Sequence, residues 1–320
     1  MQIINIKFNL EVIILRVRKN LNSTVAITQN SNESLAIKEG LSLLNISSMI
    51  KNDDVVVITP NFVNKGGVGY GDVVGPESLR ELIKVIKCCN PKRVVVATAS
   101  AEKDIESVMK DIGYTDVIKS EKVEFINLNY GPFINVPLNH SSPTSTSLNK
   151  LYEEMTFLIS FTQLKIHEEA TMSASIKNIA MGWPSCEEHG YPKKNLGIHK
   201  DLHGFITAML EKFTIDLSIV SVNPAMIGTG PHNGIGNHTG IVLCGTDPVA
   251  TDTIGARLLG FKPQAINYLY SSINKGLGCG EVTLESNSPI KILGMNLLDA
   301  EKHFNKCAYG KEFSVDKLNN

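Results

Sequence analysis

Two lysines and a histidine stand out near the middle of the sequence, within the largely apolar stretch "FTQLKIHEEATMSASIKNIAMGW" (161–183). Lys165 and His167 lie at the end of a predicted buried strand, and Lys177 lies on a predicted helix. A buried ammonium group is costly unless it reaches water, a carboxylate or an anionic ligand. Imidazole titrates near neutral pH and can transfer protons. These residue types predict binding of a small carboxylate or phosphate, with proton transfer.

The segment 168–181 is predicted to be one helix, which places Lys177 on an alanine stripe and Asn178 on a neighbouring polar stripe. Ligands of open α/β sheets collect at the carboxyl ends of strands, and a helix N-terminus adds partial positive charge. Lys165, His167 and Lys177 are therefore expected to share one site. The alternative is a solvated loop and one lysine that extends to water along its aliphatic stem.

Two glycine-rich loops supply further candidates. The segment "IGTGPHNGIGNHTG" (227–240) joins two predicted strands and opens no helix, which excludes a dinucleotide-binding fingerprint. Glycine permits close approach of the backbone to a ligand, so Gly230 and His232 are candidate substrate-binding residues, with a tight turn as the alternative. Asn61 opens a second such loop, 59–72, directly after a buried strand, and is a third candidate.

Two helices and one polar loop carry the remaining candidates. His203 is a candidate proton carrier on the predicted helix 200–213, although a lone histidine beside an apolar helix face is more often structural. Asp252 is a candidate partner for a lysine or ligand for a metal, with a local ion pair as the alternative. The long polar segment 183–199 has the length and composition to close over a site.

Strand-like and helix-like segments alternate along the chain, which predicts an α/β fold with a mostly parallel sheet and helices on both faces. The predicted strands are 24–29, 54–63, 93–99, 123–129, 155–165, 215–223, 239–246 and 290–295, and the predicted helices are 32–44, 76–89, 102–113, 168–181, 200–213, 247–260 and 263–276.

The predicted organisation is an N-terminal extension, 1–22, followed by two closely packed halves, 23–150 and 151–320, that form one functional unit. The Ser/Thr-rich segment 139–150 is expected to be a surface loop or the boundary between the halves. Residues 3–16 are expected to add an edge strand.

Composition excludes several classes of function. The net charge of −1 gives no global field for nucleic acid or an anionic membrane, and 6% aromatic residues provide few stacking platforms. No apolar run reaches the roughly 18 residues that a membrane span needs. Lys7 and Glu11 interrupt the apolar N-terminal stretch, so a signal peptide is not expected. Six cysteines without a C-x-x-C spacing predict reduced thiols in the cytoplasm.

The motifs "TPN" (59–61), "LKIH" (164–167), "KN" (177–178), "LHGFI" (202–206), "GTGPHNG" (228–234), "DPVATD" (247–252) and "GLGCGEV" (276–282) occur in an order that resembles the domain-of-unknown-function family 362. Its members are often described as uncharacterised iron–sulfur-centre proteins. The resemblance extends from about Thr24 to about Met295. The family's patterned residues correspond to Pro60, Asn61, Lys165, His167, Lys177, Asn178, His203, Gly230, Pro231, Asp247 and Asp252.

This chain departs from the family pattern in two respects. Thr59 stands where the family usually has a lysine, which removes one expected cation. The cluster-binding cysteines are also absent, so no iron–sulfur cluster is expected within the chain, and the resemblance implies that any redox role needs a ferredoxin-like partner. The resident cofactor is otherwise unknown, with a divalent metal at Asp252 as one candidate.

The favoured interpretation is an enzyme that acts on a small anionic substrate by proton transfer or partner-assisted redox chemistry. The alternative is a non-catalytic module that binds a ligand or metal and serves an iron–sulfur redox partner. The candidate catalytic residues are His167, His203 and Lys177, and the candidate substrate-binding residues are Asn61, Lys165, Asn178, Gly230 and His232.

Overall fold

The computed structural model describes residues 16–62, 68–99, 101, 104–231, 233–283 and 287–315. The first part of the chain contains β1 (Thr24–Gln29), α1 (Glu33–Leu43), β2 (Val55–Pro60), α2 (Pro76–Cys88), β3 (Arg93–Thr98), α3 (Ile105–Asp111), α4 (Tyr114–Glu121), β4 (Glu124–Asn127), β5 (Phe133–Pro137) and β6 (Ser145–Asn149). The rest contains α5 (Leu151–Glu154), β7 (Phe157–His167), β8 (Thr171–Ser173), α6 (Ser175–Gly182), α7 (Cys186–His189), α8 (Leu202–Leu210), β9 (Leu217–Thr229), β10 (Asn233–Asn237), β11 (Ile241–Gly245), α9 (Pro248–Leu258), α10 (Asn267–Asn274), β12 (Lys291–Gly294) and α11 (Leu297–Tyr309).

Strands from both predicted halves form one sheet in the order β12-β1-β11-β9-β7-β2-β3-β4. Strands of the two halves pair at two places: β2 pairs in parallel with β7, with Val56 opposite Phe157, and β1 lies between β11 and β12. Along this path only β11 is reversed, since it runs antiparallel to both β1 and β9. Short strands β8 and β10 pair with β7 and β9, and β5 and β6 form a separate hairpin. The predicted α/β fold with a mostly parallel sheet is confirmed.

Apolar cores cover both faces of the sheet. In β2, Val57 contributes to one core while Val56 and Ile58 contribute to the other, because successive strand residues point to opposite faces. Helices α1–α4 supply residues to the second core, and α6 and α8–α11 supply residues to the first. This arrangement explains the near-continuous Val/Ile runs of the central strands, which are covered by helices on both sides.

The predicted helix 168–181 is wrong in its first half. After β7 the chain turns and returns as β8, so that Lys165 lies opposite Ser173, and α6 begins only at Ser175. Thr171 has a φ of +63°, a left-handed conformation that cannot continue a right-handed helix. The hairpin places Lys165 and the N-terminus of α6 at the same edge of the sheet.

Several elements were not predicted, among them α4, α11 and the β5–β6 hairpin, whose second strand lies in the Ser/Thr-rich segment. Of the edge strand expected at 3–16, residues 3–15 lie outside the described residues. No helix in the described ranges combines the length and apolar character that crossing a bilayer requires.

Candidate functional site

A cavity of about 170 Å³ lies at the carboxyl ends of β2, β3 and β7. It brings together residues from the end of each of these strands, from α6 and from the segment that follows α7. The lining residues are Asn61, Phe62, Thr98, Ala99, Ala101, Thr162, Lys165, Ser173, Lys177, Asn178, Met181, Gly182, Pro192, Lys193 and His199. Four of the predicted site residues, Asn61, Lys165, Lys177 and Asn178, therefore line one cavity.

Lys165 projects from the end of β7 and is 2% exposed. Its Nζ donates a hydrogen bond of 3.1 Å to the carbonyl oxygen of Asp72. Burial lowers the pKa of Lys165 to about 8, and the nearby Asp72 carboxyl group opposes that shift. Asn61 fixes the same loop, since its amide nitrogen donates to the Asp72 carbonyl and its Oδ1 accepts from the backbone N–H of Val74 at 3.1 Å.

Lys177 lies in the first turn of α6 and is partly exposed. Burial and the positive charge of Lys165 lower its pKa to about 7, and Glu169 opposes the shift. Among the described residues, no atom makes a hydrogen bond or an ion pair with its Nζ. The amine of Lys177 therefore differs from that of Lys165, which is held by a carbonyl oxygen.

Lys193 was not among the predicted site residues. It lies in the segment between α7 and the 3₁₀ turn Asn195–Lys200, is 5% exposed, and its Nζ donates to the carbonyl oxygen of Met181. Burial lowers its pKa to about 8, and Cys186 opposes the shift. Its neighbour Lys194 is exposed. Nothing in the sequence distinguishes these two adjacent lysines, because only the path of the loop decides which one faces inward.

His199 also lines the cavity, and its Nδ1 lies 2.6 Å from Oε2 of Glu169. Glu169 itself is not a lining residue. The described part of the cavity wall contains three lysines and one histidine, and no aspartate or glutamate. The wall therefore carries an excess of positive charge with little compensation.

Asn178 and Thr59 connect α6 to the central sheet. The amide nitrogen of Asn178 donates to the carbonyl oxygen of Thr59 at 2.9 Å and to Oγ of Ser160 at 3.1 Å. The Thr59 hydroxyl accepts a 3.1 Å hydrogen bond from the indole N–H of Trp183. Thr59, which stands where the family usually has a lysine, therefore fixes the end of α6 through hydrogen bonds.

The two predicted catalytic histidines are not among the described residues that line the cavity. Nδ1 of His167 accepts from the backbone N–H groups of Glu169 and Ala170, both at 3.2 Å, and so holds the turn after β7. Nδ1 of His203 accepts from the backbone N–H of Tyr268 at 3.2 Å, and its ring stacks on that tyrosine. Burial lowers the pKa of His203. A catalytic role for either histidine stays a prediction.

Gly230 supports the same turn by close packing. A Cβ at this position would lie 1.9 Å from the carbonyl oxygen of Ile166, and the Gly230 carbonyl accepts from the N–H of Glu168 at 3.0 Å. Gly230 does not line the cavity, and His232 lies outside the described residues.

Asp252 is fully buried on α9, and its carboxylate caps α6. Its two oxygens accept from the backbone N–H groups of Ser175 at 2.8 Å and Ile176 at 3.1 Å. Burial raises its pKa to about 7 although these hydrogen bonds oppose the shift. Its described partners are therefore helix N–H groups and the Tyr268 side chain, and not the expected lysines. In the described part of the chain, no three His, Cys, Asp or Glu side chains are grouped to hold a metal.

Comparison with known proteins identifies the sequence class. The pattern that defines the family "Domain of unknown function (DUF362)" matches residues 56–257, a range that contains the three lysines of the cavity. The "Thylakoid-associated protein sll1697" of Synechocystis sp. is 20% identical over 253 residues, which cover 78% of this chain and 77% of that protein. The family pattern matches more than half of the sequence, and the chain therefore belongs to the DUF362 family.

Proposed function

We propose that the cavity binds a small anionic substrate, a carboxylate or a phosphate, and that Lys177 exchanges a proton with it. The observation that supports this proposal is the set of three lysines in a cavity wall whose described residues include no carboxylate. Three buried or half-buried ammonium groups in one wall are unfavourable in the empty protein, although Asp72 and Glu169 oppose this from outside the described lining. A bound anion would supply the missing negative charge.

The hydrogen bonds suggest a division of roles among the lysines. Lys165 and Lys193 each donate to a backbone carbonyl, which fixes the positions of their positive charges. Lys177 has no such hydrogen bond among the described residues, and its pKa of about 7 permits both protonation states near neutral pH. Lys165 and Lys193 would hold the anion while Lys177 accepts or donates the proton.

The size of the cavity limits the substrate. Its volume of about 170 Å³ is below the about 300–1,000 Å³ of pockets that enclose drug-sized ligands. A metabolite with few non-hydrogen atoms fits this space better than a nucleotide does.

A non-catalytic ligand-binding module that serves a redox partner is the second candidate. The observation that favours it is the position of His167 and His203, which hold backbone groups and are not among the described lining residues. In this case the lysines would bind the anion without turning it over.

Calorimetric titration with acetate, pyruvate and phosphate tests anion binding, with acetamide as the uncharged control. We expect the anions to bind and Lys165→Met to weaken binding about tenfold or more, because a hydrogen bond to a charged group contributes about 1.5–3 kcal/mol. Lys194→Met removes an exposed lysine and is expected to bind as the wild type does. Equal binding of acetamide, or unchanged binding by Lys165→Met, would contradict the proposal.

Isotope exchange separates the two candidates. Protein-dependent exchange of ligand C–H hydrogen for solvent deuterium, followed by NMR, supports proton transfer by Lys177. Binding without exchange favours the non-catalytic module.

A further inference from the structure

We propose that the anionic substrate is a carbonyl compound, an aldehyde or ketone that carries a carboxylate or phosphate, and that Nζ of Lys177 forms an imine with it. This inference rests on the proposed anion-binding function and adds the substrate class and the chemical step.

The first observation is the difference in hydrogen bonding among the three amines. Nζ of Lys165 donates to the Asp72 carbonyl and Nζ of Lys193 donates to the Met181 carbonyl. Lys177 lines the same cavity, and its Nζ has no hydrogen bond among the described residues. A nucleophilic amine must lose a proton to expose its lone pair, and the carbonyl acceptors of Lys165 and Lys193 favour the protonated form. Among the described residues, Lys177 has no such acceptor.

The second observation is the electrostatic environment of Lys177. Lys165 contributes a positive charge from β7, and Lys193 lines the same cavity from the segment after α7. Glu169, whose negative charge opposes the shift, lies 2.6 Å from Nδ1 of His199 and is therefore shared with that imidazole. Burial and a neighbouring cation favour the neutral amine, which is how lysine nucleophiles are activated.

The proposed step balances without an oxidant or reductant. The neutral Nζ attacks the carbonyl carbon, a C–N bond forms, and the C=O π electrons move to oxygen. A proton passes from nitrogen to that oxygen and gives a carbinolamine. Protonation of its hydroxyl by a neighbouring ammonium group allows the C–O bond to break and water to leave. The iminium nitrogen then returns a proton, so that R₂C=O and H₂N–R′ become R₂C=N–R′ and H₂O.

This chemistry fits the arrangement of the remaining lysines. Lys165 and Lys193 are positioned by backbone carbonyls and can hold the anionic group while Lys177 reacts with the carbonyl carbon. The imine takes up a proton to form an iminium ion, which withdraws electrons from the adjacent carbon. The iminium promotes loss of a neighbouring proton or carboxylate, so the proton exchange proposed for Lys177 would proceed through its imine.

Reductive trapping tests the inference. Wild-type protein is incubated with pyruvate or, in a separate arm, with dihydroxyacetone phosphate, and cyanoborohydride reduces any imine to a stable amine. We expect intact mass spectrometry to show one adduct, which for pyruvate has the mass of pyruvic acid less one oxygen atom. Peptide mapping is expected to place it on Lys177. The two arms distinguish a carboxylate from a phosphate substrate.

Two variants control for charge and for non-specific reaction. Lys177→Arg keeps a positive charge but cannot form the imine, so we expect it to lose the adduct while pyruvate binding without reductant remains detectable. Lys194→Arg changes the exposed lysine beside Lys193 and is expected to give the adduct at the wild-type yield. If Lys177→Arg does not fold, the peptide map of the wild type still decides the site.

The possible results separate this inference from the proposed function. Pyruvate or dihydroxyacetone phosphate that binds without an adduct on Lys177, or adducts spread evenly over surface lysines, overturns imine formation and leaves anion binding intact. Binding of acetate and phosphate but of neither carbonyl probe also overturns it. If no anion binds and no adduct forms, both the inference and the proposed function fail.

Discussion

The sheet has an amino edge, where most of its strands begin, and a carboxyl edge, where they end. Buried charges are paired at the first and lack a carboxylate in the described cavity wall at the second. At the amino edge, Asp216 directly precedes β9, is fully buried, and lies 2.7 Å from the guanidinium of Arg16. Asp54 directly precedes β2 and lies 2.8 Å from Nζ of Lys19. Burial raises the pKa of Asp54, but hydrogen bonds from Lys19, the backbone N–H of Lys51 and Thr156 outweigh it and leave the pKa below its ordinary value.

At the carboxyl edge, Lys165, Lys177 and Lys193 line a cavity whose described wall has no carboxylate, and the pKa of each is lowered chiefly by burial. The ion pairs at the amino edge connect the starts of β9 and β2 to the segment that contains Arg16 and Lys19. Charges of one sign in a wall without carboxylates destabilise the folded state and are retained where a ligand needs them. This contrast supports the proposal that the ligand binds at the carboxyl edge.

The largest expected effect is at the amino edge. Asp216 accepts from Arg16 and from the backbone N–H groups of Lys19 and Leu158. Asp216→Ala leaves a cation and two N–H groups without their acceptor, so we expect the free energy of unfolding to fall by about 3 kcal/mol. Urea denaturation measures this. A loss below about 1 kcal/mol would show that the amino-edge pair is not structural.

Lys177→Met is expected to raise the free energy of unfolding, whereas Asp216→Ala lowers it. The folded pKa of about 7 lies below the ordinary 10.5, so the unfolded chain binds more protons between these values and stability rises with pH across that window. Removing the amine should therefore stabilise the protein by about 1 kcal/mol below pH 7. The gain should fade as pH rises toward 10.5.

Denaturation curves at several pH values check this prediction, with Lys194→Met as the exposed control. A loss of stability in Lys177→Met at every pH would mean that Lys177, like Asp216, is a structural residue.

The sequence pattern predicts the strands and helices better than it predicts the residues that line the cavity. The Val/Ile runs and the Pro76 and Pro248 helix starts locate β2, β3, α2 and α9 because burial and local conformation depend on neighbouring residues. The residues near Thr171 look helical by periodicity, but pairing of β8 with β7 overrides that preference.

The site itself was predictable only in part. Lys165 and Lys177 are visible because a cation in an apolar stretch is unusual. Lys193 lies in a polar loop, where a lysine is expected to be solvated, and only the folded loop turns it inward. His167 and His203 are not among the described lining residues, and their catalytic role stays a prediction. Sequence spacing does not show that their ring nitrogens accept from backbone N–H groups, which only the folded chain brings into place.

The next prediction concerns coupling between the lysines. The charge of Lys165 lowers the pKa of Lys177, so Lys165→Met should raise that pKa. The rate of pyruvate trapping requires the neutral amine and should rise with pH through about 7 in the wild type. In Lys165→Met the midpoint should move to higher pH and the rate below it should fall several-fold.

The charged groups that face Lys177 are Lys165, Glu169, Lys193 and His199, so Lys165→Arg, which preserves the positive charge, is the matched control. Its midpoint is expected to stay near that of the wild type. If both variants shift equally, the change comes from loss of the Asp72 hydrogen bond and not from charge.

The smallest effect is expected for Asp252→Asn. Both Asp252 and Asp216 accept backbone N–H groups, but burial raises the pKa of Asp252 to about 7, whereas Asp216 has a cation 2.7 Å away. The asparagine side chain has one oxygen and can accept from only one of the two N–H groups at the start of α6. Loss of the second hydrogen bond costs about 1 kcal/mol of stability. Asparagine also buries no charge, and this gain offsets that loss. Above pH 7 the net change should be below about 1 kcal/mol, well under the loss of about 3 kcal/mol expected for Asp216→Ala.

The pH dependence makes this last comparison decisive. The folded pKa of Asp252 lies above the ordinary 3.8, so the stabilising contribution of its protonated form is complete below 3.8 and is lost as pH rises through about 7. Asparagine does not titrate, and the fall in stability over that window should be smaller in the variant. A loss as large as that expected for Asp216→Ala would mean that α6 needs the charge of Asp252. The carboxyl edge would then contain a structural anion beside its lysines.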